Sequence, residues 1–288
     1  MAIVKQLGRY RKAYRNYLSV MWGLHQGKKE IKVILKNGNS YKLTASGATS
    51  YTNYISNKNI NIVPDTLNDA LNIKFSYKDK NITLPLNEGD IPAVFINEEY
   101  KFLNVDNENV IDIGANIGDS PIYFALNNAK RVIALEPYPY SYNIALKNIK
   151  TNKFEDNIIL LNAGYGKDGV IYIDSDFKNT TGSDLKNVQN GKEIKTISLK
   201  TLLNVYNIES AVLKMDCEGC EYNILNENNN TLRCFKRIQL EYHYGYEKIK
   251  NRLEEAGFTV KYTEPKKNFN KYASNHNMEL GYIFGVRN

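Results

Sequence analysis

The 288-residue chain is long enough for one large domain or for one domain with an extension, and its three cysteines are too few for a disulfide framework. No apolar run reaches the length of a membrane span and no signal-peptide pattern opens the chain, so we expect a cytoplasmic protein without an integral membrane segment. The net charge of +7 lies mostly in residues 1–30, which balance to +6 against +1 for the rest, and this excludes a uniformly basic nucleic-acid binder.

The first segment, a basic arm of residues 1–30, is predicted to be helical. Apolar and aromatic side chains recur at spacings of three and four over residues 3–24, with Lys5, Arg9 and Lys12 on another face. The pattern favours a helix that packs on its own domain or on a partner helix, since any docked helix carries charge on its outer face. A weak contact of residues 1–30 with an anionic membrane or nucleic acid is the alternative.

Residues 31–94 are predicted to form a small β-rich accessory region. The Asn37-Gly38 pair between two alternating stretches is a strong hairpin signal. The predicted elements are a hairpin over 31–46, a polar loop over 47–72 with a short helix near 65–71, and a second hairpin over 75–86.

Residues 95–288 are predicted to form an α/β domain. From Val110 onward, short continuous apolar runs alternate with helical patterns, which is typical of a mostly parallel sheet with helices on both faces. The predicted strands are 110–113, 131–135, 158–161, 170–173, 211–215, 237–240, 258–262 and 279–286. One helix is predicted to start near residue 120, and further helices are predicted over 139–150, 199–206, 220–226 and 247–256. Residues 178–193 are predicted to be an exposed loop.

The first strand of this domain is followed by a glycine turn, Asp112-x-Gly114-x-x-x-Gly118, and then by a helix. Gly114 is expected to allow close approach of a ligand, Gly118 to let the helix pack on the strand, and Asn116 to tolerate left-handed backbone. Glu136 ends the second strand, 24 residues after Asp112, where an acid binds ribose hydroxyls. Because the turn is not GxGxxG, a nicotinamide-dependent dehydrogenase is disfavoured.

Polar residues end every central strand of the predicted sheet. Ligands of open α/β sheets bind outside the carboxyl ends of the strands, so these residues predict a site. A single one of them is also explained as a helix cap. The residues are Asp112, Glu136, Asn162, Asp216 with Glu218, and Glu241 with His243.

Three stretches resemble the FkbM family of S-adenosylmethionine-dependent methyltransferases. The resemblance covers about residues 95–262 and implies a class I, Rossmann-like, seven-stranded fold, bound S-adenosylmethionine, and methyl transfer to a hydroxyl of a small-molecule or glycan-like acceptor. The stretches are Val110–Asp119 with Glu136-Pro137, the run Leu213-Lys214-Met215-Asp216-Cys217-Glu218-Gly219-Cys220-Glu221, and Gln239–His243.

The resemblance also implies a role for each matching residue. The first turn holds the amino-acid part of the cofactor, the end of the second strand holds its ribose, and the end of the third lies near adenine. In order along the chain these are Asp112, Gly114, Ala115, Asn116, Gly118 and Asp119, then Glu136 and Pro137, then Asn162 and Ala163. The candidates for the catalytic base that takes the hydroxyl proton are Asp216, Glu218, Glu241 and His243.

Alternatives remain for the base candidates and for the two cysteines near them. Carboxylates with a histidine also bind divalent metals, but no spacing demands it, so a base is favoured over a metal site and none is predicted. Cys217 and Cys220 are expected to be two small buried thiols, in preference to a redox-active pair at a helix start.

Two other functions compete with the leading interpretation. The basic arm suggests a nucleic-acid (RNA) methyltransferase, although Asp216 and Glu218 would repel phosphate. A non-catalytic binding protein with the same fold would be expected to lose the cofactor residues, and this chain retains them.

Overall fold

The computed structural model describes residues 2–55, 61–64, 71–86, 89–174, 191–267 and 278–287. The chain forms two compact units, Met1–Asn97 and Glu98–Asn288. Each unit is described by itself.

In its described residues, the first unit combines three helices with five short strands and a π-helical turn at Pro92–Ile96. Strands β1 and β2 form one antiparallel hairpin, and β3, β4 and β5 form an antiparallel sheet. The elements are α1 (Ala2–Ala13), α2 (Tyr17–His25), β1 (Glu30–Ile34), β2 (Ser40–Thr44), α3 (Ala45–Tyr54), β3 (Asn61–Pro64), β4 (Leu71–Tyr77) and β5 (Lys80–Pro85).

The single helix predicted over residues 3–24 is wrong, because the chain breaks between α1 and α2. Asn16 accepts a hydrogen bond from Ile34 N (2.8 Å) and donates one to Lys32 O (2.9 Å), which ties the break to β1. Tyr10 and Tyr14 are buried, and Tyr14 donates to Ala48 O of α3 at 2.8 Å. The arm therefore packs within its own unit, as the favoured interpretation predicts.

The loop predicted over residues 47–72 is also wrong in part, because α3 occupies its beginning. The Thr44 side chain caps this helix by accepting from Gly47 N at 3.1 Å, which stabilises a helix of low-propensity residues. The helix predicted near 65–71 lies almost wholly outside the described residues, and Leu71 begins β4. The two predicted hairpins are confirmed, the second with Lys78 and Asp79 left-handed in its turn.

The second unit holds the α/β sheet. The helices are α4 (Asp119–Leu126), α5 (Pro139–Thr151), α6 (Leu199–Val205), α7 (Asn229–Leu232) and α8 (Glu247–Glu255), with 3-10 helices at Glu99–Leu103 and Cys220–Asn226. The strands are β6 (Asn109–Ile113), β7 (Arg131–Leu135), β8 (Ile158–Leu161), β9 (Ala163–Tyr165), β10 (Gly169–Ile173), β11 (Lys192–Ile197), β12 (Ala211–Met215), β13 (Phe235–Tyr242), β14 (Thr259–Tyr262), β15 (Lys266–Lys267) and β16 (Glu279–Val286).

The main sheet has the order β14-β16-β13-β12-β6-β7-β8, and β15 adds to β16. Strands β13, β12, β6, β7 and β8 are parallel, whereas β16 is antiparallel to both its long neighbours. The predicted mostly parallel, seven-stranded α/β sheet is confirmed. Every residue of β12 is buried, which explains why its sequence shows no alternation.

A second small sheet pairs β11 with β9 in parallel and with β10 in antiparallel fashion. Strand β11 was not predicted, because its residues alternate with lysines and overlap the polar loop predicted over 178–193. Residues 178–190 of that prediction lie outside the described part of the chain.

Candidate active site

Three strand ends lie level with one another at one edge of the sheet. The register pairs Met215 with Ile113 and Ile113 with Leu135, so the next residues, Asp216, Gly114 and Glu136, follow side by side. A Cβ added to Gly114 would overlap the backbone oxygen of Asp216. The cofactor turn and the acidic strand end that the sequence predicts are therefore in direct contact.

The glycine turn is left-handed at Gly114, Asn116 and Gly118, and Asn116 is the residue for which the sequence predicts this backbone. Gly114 (φ 81°) and Asn116 (φ 47°) are both left-handed. Gly118 (φ 84°) differs from the expectation, since a Cβ there would meet Ala145 of α5 at 3.2 Å. Gly118 thus permits close contact between α4 and α5 rather than between helix and strand.

Asp112 is fully buried and engaged with protein groups. Its Oδ1 lies 3.0 Å from Lys214 Nζ, and its Oδ2 accepts a hydrogen bond from Ser120 at 2.7 Å. Lys214 also donates to the backbone oxygen of Gly114 at 2.7 Å. Burial lowers the pKa of Lys214, but Asp112 and Asp216 outweigh burial and raise it overall, so the ammonium stays charged.

Glu136 shapes the turn from the neighbouring strand. Its two carboxylate oxygens accept hydrogen bonds from the backbone N–H groups of Asn116 (2.8 Å) and Tyr138 (2.9 Å). Burial raises the pKa of Glu136 to about 7, against the effect of these two bonds. Each oxygen keeps a further lone pair, which suits two ribose hydroxyls.

Asn162 and its neighbours continue this edge of the sheet. The Asn162 side chain donates to the backbone oxygens of Glu136 and Pro137, both at 2.9 Å, and so holds the chain just after β7. Ala163 is buried at the start of β9, and Ala115 and Asp119 are buried in the turn. Asn116 Oδ1 is buried and has no hydrogen-bond partner among the described residues, so an acceptor for a ligand N–H or O–H remains in the turn.

His243 lies between two carboxylates after the end of β13. Its Nδ1 is 2.6 Å from Glu221 Oε1, and its Nε2 is 3.1 Å from Glu218 Oε2. Burial lowers the pKa of His243, but the hydrogen bonds of Glu218 and Glu221 outweigh it and raise the pKa to about 11. The two carboxylates therefore favour the imidazolium form of the ring.

Asp216 and Glu241 lie beside Glu218 and His243, and these four residues are called the acidic edge below. One ligand atom from each of Asp216, Glu241 and His243 lies within 4.8 Å of the others. Burial, followed by the charge of Asp216, raises the pKa of Glu241 to about 9. All four residues that the sequence predicts as base candidates are thus brought together, with Glu218 reaching the group through His243.

The 3-10 helix Glu99–Leu103 lines this edge and was not recognised from the sequence. Gln239 donates to Glu99 O at 3.0 Å, and Lys214 Nζ lies 5.5 Å from the centre of the Tyr100 ring. Burial, followed by the charge of Asp216, raises the pKa of Tyr100 well above its ordinary value. No motif marks this segment, because its role depends on contacts with residues more than 100 positions away.

Cys217 and Cys220 form a disulfide bond around Glu218 and Gly219, with their Cα atoms 5.5 Å apart. The expectation of two buried thiols is therefore wrong. Both residues are only half-buried, and the strand-to-helix turn brings the two sulfurs together. Glu221, which follows, accepts from Gly219 N at 2.9 Å and lies 3.4 Å from Cys217 Sγ.

The parallel sheet, the glycine turn, the acid after the second strand and the acidic edge define a class I S-adenosylmethionine-dependent methyltransferase. The model of the methyltransferase FkbM domain matches residues 112–262, more than half of the chain. The chain belongs to the FkbM methyltransferase family, and its cofactor is S-adenosylmethionine.

Two solved structures that are similar to this chain are those of METTL16 and TYW2. The methyltransferase domain of METTL16 is 15% identical, with a TM-score of 0.50, and the match covers 94% of this chain and 92% of that one. TYW2 of M. jannaschii, solved with AdoMet, is 17% identical with a TM-score of 0.40, covering 75% and 87% of the two chains. A comparison with curated proteins gives no significant match. Among the described residues, no helix is both long and apolar enough to cross a membrane.

Proposed function

We propose that this protein transfers the methyl group of S-adenosylmethionine to a hydroxyl oxygen of a small-molecule or glycan-like acceptor. The observation that carries the proposal is the contact between Gly114, in the cofactor turn, and Asp216, the first residue of the acidic edge. An acceptor hydroxyl must lose its proton as it is methylated, and the carboxylates beside the turn supply the acceptors for that proton.

The residues divide into two groups in this proposal. Glu136 and the backbone of residues 114–118 bind the cofactor, with Asn116 Oδ1 as a further acceptor. When bound, S-adenosylmethionine supplies a methyl group activated by a positive sulfur. Binding both reactants in line accounts for much of the rate in such a displacement.

The base is proposed to be Asp216 or Glu218. His243 is held as a cation by two carboxylates, and Glu241 has its pKa raised to about 9 by burial and by Asp216. A neutral carboxylic acid and an imidazolium orient and stabilise an acceptor, but they do not remove its proton. Glu218, whose side chain is 26% exposed, is accessible to an acceptor that enters from solvent.

RNA is the second candidate acceptor. Six basic side chains of residues 1–30 are exposed, namely Arg9, Arg11, Lys12, Arg15, Lys28 and Lys29, and Trp22 on α2 is 63% exposed and available for stacking. Some similar folds belong to proteins described as RNA or tRNA methyltransferases. Against RNA, the acidic edge would repel the phosphates of a bound strand.

The test is an acceptor panel with methyl-labelled S-adenosylmethionine. Monosaccharides, oligosaccharides, hydroxylated small molecules and total RNA are incubated with wild-type protein and with the Asp216→Asn variant. Label in a hydroxylated small molecule or glycan, lost in the variant, is the expected result. Label in RNA alone would overturn the proposal in favour of the second candidate.

A further inference from the structure

Three side chains of the acidic edge offer ligand atoms for a metal ion. The role of this edge as a proton acceptor does not require all three of them. Asp216 follows β12, Glu241 lies in β13, and His243 follows β13, with their ligand atoms all within 4.8 Å. An octahedral divalent ion with bonds of about 2.1 Å holds adjacent ligand atoms about 3.0 Å apart and opposite ones about 4.2 Å apart. Small side-chain movements therefore bring these three atoms to ligand distances.

The histidine is oriented in the way that protein metal sites orient theirs. A ligating histidine commonly donates its second ring N–H to a carboxylate, which fixes the tautomer and the ring plane. Glu221, fully buried, lies 2.6 Å from Nδ1 and is itself held by Gly219 N. With Nδ1 bonded to Glu221, the lone pair of a neutral ring lies on Nε2, the nitrogen that lies 3.1 Å from Glu218.

The charges around Nε2 also call for a cation. Glu218 lies 3.1 Å from Nε2, and one carboxylate oxygen each of Asp216 and Glu241 lies within 4.8 Å of a His243 ring nitrogen, while Lys214 is engaged with Asp112. A neutral Nε2 would place its lone pair 3.1 Å from a carboxylate oxygen of Glu218, which is repulsive. Without a metal, His243 and Glu241 hold the protons that the proposed function assigns to them. A bound divalent ion displaces both protons and replaces the contact between Nε2 and Glu218, so that it satisfies the nitrogen and the carboxylates together.

We propose that Asp216, Glu241 and His243 bind one divalent transition-metal ion, with Glu221 positioning the histidine. Two carboxylates and one imidazole form a mixed set of oxygen and nitrogen donors. Such a set suits Mn²⁺ or Fe²⁺, whereas Mg²⁺ and Ca²⁺ typically bind oxygen atoms only. The role of the ion rests on the proposed function: a bound cation lowers the pKa of a coordinated hydroxyl and so prepares the acceptor for methylation. Glu218 then remains as the carboxylate that takes the proton.

The test is a titration of the full chain, without a polyhistidine tag, with Mn²⁺. Binding is monitored through the electron paramagnetic resonance signal of the ion that remains free. The wild type is expected to bind one Mn²⁺ per chain. Asp216→Asn and Glu241→Gln are expected to weaken binding at least about 10-fold, and Glu221→Gln by about 10- to 100-fold through the orientation of His243. Glu254→Gln, an exposed acid in α8, is the matched control and is expected to leave binding unchanged.

Two results would overturn the metal site: no binding of Mn²⁺ to the wild type, or equal affinity in the wild type, Asp216→Asn and Glu241→Gln. A thermal melt of each variant verifies folding, and two independent ligand variants keep the test decisive if one of them fails to fold. Failure of the metal site is distinguishable from failure of the proposed function. If the metal site fails, Mn²⁺ does not bind, and this is measured without any acceptor. If the proposed function fails, no methyl group is transferred to hydroxyls although Mn²⁺ still binds.

Discussion

Lys214 and Asp112 form an ion pair of 3.0 Å in which both side chains are almost completely excluded from solvent. The pair joins β12 to β6 beneath the glycine turn, and Lys214 extends it to the Gly114 backbone oxygen. Asp112 therefore contributes to the cofactor turn through Lys214, which positions the backbone of that turn.

Removing the cation of this pair is expected to destabilise the protein strongly. Lys214→Met leaves the Asp112 charge buried without its partner, which costs about 3–5 kcal/mol of unfolding free energy. The measurement is urea unfolding. The control is Lys236→Met, which breaks the exposed pair with Glu108 and is expected to cost under about 1 kcal/mol. Equal losses in the two variants would contradict the importance given to the buried pair.

Cofactor affinity is expected to depend on pH through Glu136. Burial raises its pKa to about 7, so below that pH the ligand-free carboxyl is protonated and must lose its proton to accept two ribose hydroxyls. Affinity for S-adenosylhomocysteine, measured by calorimetry, is therefore expected to fall by up to about tenfold per pH unit below 7 and to level off above about pH 8. Glu136→Gln is expected to bind more weakly and without this slope; the same slope in the variant would assign the titration to another group.

Gly114 is expected to be irreplaceable. Gly114→Ala places a Cβ on the backbone oxygen of Asp216 at a residue with φ 81°, so the turn and the strand end must separate. We expect a loss of at least about 1–3 kcal/mol in stability and of most S-adenosylhomocysteine binding. Gly8→Ala is the control, since a Cβ there meets no described atom within 4 Å and the helix α1 is expected to gain about 0.5–1 kcal/mol. Retained ligand binding in Gly114→Ala would refute the close approach.

Two substitutions separate the acceptor side from the cofactor side. Asp216→Asn and Glu218→Gln keep the shape of each side chain and remove its charge, so methyl transfer is expected to fall by about 10²–10⁴. Affinity for S-adenosylhomocysteine is expected to stay within a few-fold, because the proposed ligand-binding groups are Glu136 and the turn. Rates come from labelled transfer, with Glu254→Gln as the control. Full activity in both variants would leave these acids with a capping role only.

The sequence predicts those parts of the fold that depend on local pattern. The strands that begin near Val110, Arg131, Ile158 and Ala211 are mostly apolar runs, and their ends are found within about one residue of the predicted positions. Asn116 in the turn has the left-handed backbone that its residue type favours.

The parts that sequence patterns miss depend on distant partners. Nothing near Lys214 identifies Asp112 as its partner, and nothing near Asn16 shows that its side chain binds β1 and divides a helix in two. The same holds for His243, since the sequence supplies the histidine and the acids but not the contact with Glu221 that turns Nε2 toward the acidic edge. The run Gly219-Cys220-Glu221 contains the glutamate, but the motif alone does not identify His243 as its partner.

The Cys217–Cys220 bond gives the chain two chemical forms that differ by two hydrogen atoms. The cross-link encloses Glu218 and Gly219, and these contact His243 and Glu221. A sample purified in dithiothreitol and a sample purified in air are consequently different reagents at this edge of the sheet. Thiol content, counted with a colorimetric reagent before each assay, belongs beside protein concentration in the description of every batch.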